Sequence, residues 1–282
     1  MLVLCMCWGF NQITIKVAAA GISPIMQAGL RSIIATALLL AWARLRGIPL
    51  FRRDGTLAGG MAAGALFAAE FVFIYVGLGY TAASRMVVFI YLAPCFTALG
   101  LQWFVPGERL NAAQWTGVAL AFLGVALAFA DGFSTARGST LTGDVFGVVA
   151  AALWAATTVT IRSTRLTSAS ATKTLFYQLG ISALALPLAS LAAGEPGVIA
   201  LTPKVVASLA YQGVIVAFAS YLAWFWLLTR YLAGRLAVFS FLTPLFGVAF
   251  GVMILSEPIS AAFLGAAVLV GAGIFLVNRP AK

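Results

Sequence analysis

The chain has 282 residues, 63% hydrophobic and only 9% charged, whereas a soluble domain carries about 25% charged residues. Its formal net charge of +10 comes from 17 Lys and Arg that punctuate the gaps between apolar runs, a spacing that argues against nucleic acid as a partner. There is no His, and Cys5, Cys7 and Cys95 all lie inside apolar runs, so no metal, other cofactor or structural disulfide is expected.

A bilayer core about 30 Å thick needs roughly 20 apolar residues to cross it. Ten such segments stand between polar or Gly/Pro breaks, at approximately 2–19, 26–45, 56–78, 82–104, 110–130, 143–162, 171–193, 204–229, 234–255 and 259–277. The expected fold is therefore an all-α polytopic membrane protein with ten transmembrane helices and the lipid bilayer as its surroundings. The first segment begins apolar without a basic leader and reads as a retained helix rather than a signal peptide.

In chain order, the first segment carries Trp8, Asn11, Gln12 and Lys16, and the second carries Arg31. Glu70 in the third is the acid that lies well inside an apolar segment. A carboxylate at membrane depth is costly and is a functional hypothesis by default. Arg31 and Lys16 are its expected partners, in a structural ion pair or in a coupling or substrate-ammonium site. The fourth segment contains RMVVFIYLAP at 85–94, which recurs in the ninth as RLAVFSFLTP at 235–244, identical at five of ten positions. Pro94 and Pro244 lack an N–H and free the carbonyls of Ile90 and Ser240, which predicts a kink at each, read either as packing or as a hinge.

The repeat extends outward. Phe67, Glu70, Tyr75 and Tyr80 fall opposite Phe218, Tyr221, Trp226 and Tyr231, and WGFNQITIK at 8–16 matches WAATTVTIR at 154–162. The halves, 1–135 and 136–282, each hold five segments, an odd number, so one copy is expected upside down relative to the other. An inverted repeat whose apolar helices are interrupted by proline points to a secondary transporter. Lys and Arg in the short loops place 12 of 17 on one side, which the positive-inside rule assigns to the cytoplasm together with both termini.

Trp8 and Trp154, with Asn11 and Thr157 nearby in sequence, are candidates for lining a cavity, as are Tyr75, Tyr91, Tyr177, Gln178 and Tyr221; ordinary packing is the alternative for each. Aromatic faces with a few hydrogen-bonding groups suit an amphipathic organic solute rather than a bare ion. Glu108 and Glu257 stand just before the fifth and tenth segments, where the helix dipole favours an acid. Small residues at helical spacing, including Gly117, Ala121 and Gly124 in the fifth segment and Gly265 and Gly273 in the tenth, predict close helix packing.

With FIYLAP ending at Pro94 and FSFLTP at Pro244, each followed by an acid and a Gly-rich final helix, the chain resembles the EamA family of the drug/metabolite transporter superfamily. Within it, the closest likeness is to the YddG-type exporters of aromatic and other neutral amino acids. The resemblance covers nearly the whole chain. It implies two five-helix repeats, the bacterial inner membrane, and export of a small molecule through a central cavity by alternating access, with protons as a candidate coupling ion. It names no single substrate. A passive facilitator, or an exporter of a different metabolite or drug, keeps the same topology. A membrane-embedded enzyme would need a nucleophile–base pair or a metal cluster, for which the sequence offers no motif. Nothing in the sequence sets an oligomeric state beyond a workable monomer.

Overall fold

The computed structural model describes residues 1–81, 83–130, 141–255 and 261–278. Among these the regular structure is helical, apart from one isolated antiparallel bridge between Ile22 and Val198. Seven stretches are long and apolar enough to cross a membrane, and three shorter apolar helices accompany them, Leu2–Ala18, Ala112–Ala128 and Leu264–Asn278. A stretch of 22 residues such as Leu57–Leu78 spans about 33 Å as an α-helix.

The helices are α1 Leu2–Ala18, α2 Pro24–Leu45, α3 Leu57–Leu78, α4 Ala83–Ile90, α5 Ala93–Phe104, α6 Ala112–Ala128 and α7 Leu141–Ser163. There follow α8 Ala171–Ala192, α9 Pro203–Ala210, α10 Tyr221–Leu228, α11 Ala233–Phe239, α12 Leu242–Leu255 and α13 Ala261–Asn278. The chain divides into two compact units: unit 1 holds Met1–Gly9, Phe73–Val159 and Tyr231–Lys282, and unit 2 holds Phe10–Val72 and Thr160–Arg230. Three of the four boundaries fall inside α1, α3 and α7 and the fourth, after Arg230, between α10 and α11, and each unit draws on both halves of the sequence.

Unit 1 is built on α6 and α13. A Cβ added to Gly117 would lie 2.7 Å from the Gly273 carbonyl oxygen, and one added to Gly124 would lie 2.9 Å from the carbonyl of Ala266. The contacts run in opposite directions along the two helices, so they are antiparallel, and the small residues at this seam let the backbones touch. Around it pack Val118, Val125 and Val270, with Tyr91 and Phe241 from elsewhere in the unit.

Those last two residues come from the interruptions. Helix α4 stops at Ile90 and α5 resumes at Ala93, and α11 stops at Phe239 while α12 resumes at Leu242. Tight i→i−3 hydrogen bonds replace the α-ladder there, Leu92 N–H to Phe89 O at 3.1 Å and Phe241 N–H to Val238 O at 3.2 Å. Pro94 and Pro244 sit in the first turn after each break, where a missing N–H costs nothing. Phe239 O, at the second break, accepts the Cys5 thiol at 3.2 Å.

In unit 2, α2 packs along α8. Gly29 abuts Pro187, where a Cβ would lie 2.7 Å from the ring Cδ. Glu195, just beyond α8, accepts from Ser23 Oγ at 2.9 Å and from the Ile25 and Met26 amides at 3.2 Å. The start of α2 thus meets the end of α8, an antiparallel arrangement in which Glu195 satisfies donors that the first turn of a helix leaves free.

Two expectations need correction. The apolar run from 204 reads as one α-helix, yet Tyr211–Ser220 is wound as a π-helix between α9 and α10. The cap of α6 is Asn111, whose side chain accepts from Gln114 N–H while Gln114 returns a bond to the Asn111 amide. Glu108 instead accepts from the Gly234 amide at 3.3 Å, in the first turn of α11. An Asx capping box fits the α6 terminus at three-residue spacing, and Glu108 is too far upstream to serve it. Glu257 lies outside the described residues.

Candidate functional site

Unit 2 brings Arg31, Glu70 and Tyr221 together. Arg31 stands about two turns into α2, Glu70 on α3 and Tyr221 at the first position of α10. Arg31 is 3% exposed and Glu70 6%. The three share one neighbourhood: Arg31 packs on Phe71, the residue after Glu70, and Tyr221 packs on Phe67, three residues before it. The guanidinium carbon lies 4.5 Å from the centroid of the Phe71 ring, a cation–π contact that holds it in place. Phe67 meets Phe71 edge-on at 5.1 Å and Tyr221 at 6.1 Å.

Burying opposite charges at membrane depth is tolerable only when they face one another and their remaining polar atoms are satisfied. Here they are only partly so: Arg31 Nε and Glu70 Oε2 are buried without a hydrogen-bond partner. On α8, Gln178 Nε2 and Ser182 Oγ share that condition; being four residues apart, they share one helix face. Lys16 is exposed on α1, whereas Arg31 is buried against Phe71, the neighbour of Glu70.

Asn11 joins a second polar group. Its Oδ1 accepts from Thr14 Oγ1 at 3.1 Å, and the Thr14 carbonyl accepts from Gln212 Nε2 at 3.3 Å. Gln212 also donates to Gln27 Oε1 at 3.3 Å. Gln212 lies in the π segment, and both glutamines are completely buried.

Tyr177 is placed apart from the charged cluster. Its hydroxyl pairs with Thr56 Oγ1 at 3.2 Å, beside an ion pair in which Lys173 Nζ donates to Asp54 Oδ2 and to the Arg52 carbonyl, both at 2.8 Å. The Lys173 ammonium and the Thr56 hydroxyl hold the Asp54 carboxyl well below the usual carboxylate range. A carboxylate lowered by folding contributes stability above its unfolded pKa and loses it as pH falls through the folded value. Asp54→Asn is therefore expected to melt at a lower temperature than the parent at neutral pH, with the two curves converging below about pH 4, measured by thermal unfolding in detergent.

Unit 1 holds the other aromatic candidates. Tyr91 is 8% exposed and meets Trp154 at 6.2 Å and Phe241 at 6.2 Å between ring centroids. Tyr91 and Phe241 are equivalent positions of the repeat, as are Glu70 and Tyr221 in unit 2. Trp8 and Tyr75 are half-buried in unit 1, and Pro94 and Pro244 are buried there.

Several polar contacts escaped the sequence reading. Asp144 accepts from Thr81 Oγ1 at 2.9 Å and Arg85 Nε at 3.1 Å. The signal was present, an acid in the first turn of an apolar run and an arginine at the start of another, but sequence alone does not say that these ends meet. For Gln27 and Gln212 there was no signal.

A model of the EamA-like transporter family matches residues 1–130 and 141–279. A protein of Escherichia coli named "Probable amino-acid metabolite efflux pump" is 28% identical over 280 residues, covering 95% of this chain and 90% of its own. An uncharacterized transporter of Archaeoglobus fulgidus is 28% identical over 255 residues, covering 89% of this chain and 86% of its own. One solved crystal structure is similar with a TM-score of 0.81 at 20% identity, over 98% of this chain and 94% of that one, which supports the fold alone. With the family's pattern present across both halves, this multi-pass chain belongs to the EamA-like transporter family.

Proposed function

We propose that the chain is a secondary transporter that exports small amphipathic metabolites, amino acids first among them, from the cytoplasm. The observation that carries this reading is the Arg31–Glu70–Tyr221 cluster, with buried polar atoms of both charges left unpartnered beside phenyl rings. Such a mixture suits a solute with a charged end and an apolar end. The efflux-pump name of the relative from Escherichia coli favours the outward direction and amino-acid metabolites as cargo.

The mechanism is alternating access through a central cavity between two inverted five-helix repeats, 1–135 and 136–282, with both termini cytoplasmic. Its support is twofold. The family model matches each half, and the equivalent second helices, α2 and α8, pack antiparallel, as do the equivalent fifth helices, α6 and α13. Trp8, Asn11, Tyr75, Tyr91, Trp154, Tyr177, Gln178 and Tyr221 are the residues proposed to line the path, and Pro94 and Pro244 the hinges.

The test is counterflow uptake of radiolabelled Phe, Trp, Met and Leu into liposomes holding only the purified protein, with and without an imposed pH gradient. Exchange without a gradient, lowered at least about 10-fold in Trp8→Ala/Trp154→Ala, is the expected result. No exchange of any amino acid overturns the substrate, and unchanged exchange in the double variant overturns the role of the tryptophans.

A further inference from the structure

We infer that Arg31 and Glu70 read the two poles of a zwitterion, the guanidinium taking the substrate's carboxylate and the carboxylate taking its ammonium. The inference rests on the transport reading above and narrows its substrate to α-amino acids with both ends free.

Three observations carry it. The first is valence. Arg31 Nε is a donor and Glu70 Oε2 an acceptor, both buried and without a partner. A carboxylate oxygen answers the donor and an ammonium N–H answers the acceptor. The planar guanidinium fork is suited to carboxylates in particular.

The second is charge balance. Arg31 and Glu70 are 3% and 6% exposed, and Arg31 packs on Phe71, the residue after Glu70, so the two groups bring one site opposite formal charges that sum to zero when both are ionised. A singly charged ligand would leave one uncompensated charge there, which is expensive. A zwitterion leaves none and supplies an opposite charge to each pole.

The third is spacing. The charged groups of an α-amino acid sit on one carbon, so a site that reads both needs its own two poles side by side. Tyr221, whose hydroxyl is donor and acceptor at once, packs on Phe67 beside the two poles. The Phe71 ring fixes the guanidinium, and Phe67, edge-on to Phe71 and Tyr221, adds apolar surface beside the charges for a side chain.

The experiment is competition against counterflow of radiolabelled phenylalanine in proteoliposomes, by phenylalanine, phenethylamine and 3-phenylpropionate. It is repeated for labelled leucine with 3-methylbutylamine and 4-methylpentanoate. Each one-ended analogue is expected to compete on the order of 100-fold more weakly than its parent, because it strands a buried charged partner. In Glu70→Gln the gap between phenylalanine and 3-phenylpropionate is expected to close to a few-fold while the phenethylamine gap persists; an unchanged pair of gaps in that variant counts against the assignment of poles. The analogue series on the unmutated protein stands without the variant. If either one-ended analogue competes as well as its parent, the two-pole site is overturned and amino-acid transport survives. If neither labelled amino acid exchanges, the amino-acid reading fails and this inference with it.

Discussion

Arg31→Met is expected to destabilise the protein by about 3–5 kcal/mol, and the double variant Arg31→Met/Glu70→Met to recover most of that loss while transporting nothing. Removing one partner of a buried pair strands the other, and the stranded charge sets the cost. Glu70 is 6% exposed, so solvent does little to compensate it once the guanidinium is gone. Removing both partners with an unbranched apolar side chain leaves no charge behind, and such replacements are often neutral. Glu70→Met alone should fall between, because its stranded guanidinium keeps the Phe71 ring at 4.5 Å, worth about 0.5–2 kcal/mol. Thermal and denaturant unfolding of the four proteins in detergent forms a double-mutant cycle. Additive losses, with the double variant the least stable, would show that the pair does not interact. A double variant that folds well yet exports nothing separates the cluster's use from its structural role.

The sequence made the principal member of this cluster legible for a simple reason. A carboxylate in a membrane-length apolar run has no cheap explanation, so Glu70 calls for a cation on a neighbouring helix, and Arg31 packs next to it on Phe71. Lys16, the other candidate, is exposed, since position on a helix does not give the direction of a side chain. Tyr221 is legible as a cavity candidate and as the repeat mate of Glu70; that it packs on Phe67, beside Glu70, follows from tertiary structure. The breaks before Pro94 and Pro244 were legible because proline acts locally on its own helix. The π winding of Tyr211–Ser220 left no trace, because that run carries no proline and one glycine, Gly213, and an extra residue per turn is favoured by tertiary partners such as Gln212 rather than by propensity. The helix ends joined by Lys173 and Asp54, or by Arg85 and Asp144, are distant in sequence, and charge at a run's end is equally well explained by water.

Pro94→Ala/Pro244→Ala is expected to slow turnover by about 100-fold with little loss of folded protein. Each proline follows a break two residues long, Tyr91–Leu92 and Ser240–Phe241. Tyr91 and Phe241 from these breaks sit in the core of unit 1, so the bends also position aromatic side chains. Alanine restores the missing N–H and favours a continuous helix by up to about 3 kcal/mol. Where the bend must form or relax during each cycle, a preference of that size for the straight helix adds to the barrier, and about 1.4 kcal/mol is tenfold in rate. Stability should change little, because each proline already occupies a first turn where its lost donor is free of cost. Hinge variants change the maximal rate and the half-saturation together, whereas loss of a substrate contact raises the half-saturation first. Concentration-dependent counterflow distinguishes the two. Unaltered kinetics in the double variant would assign the prolines to packing alone.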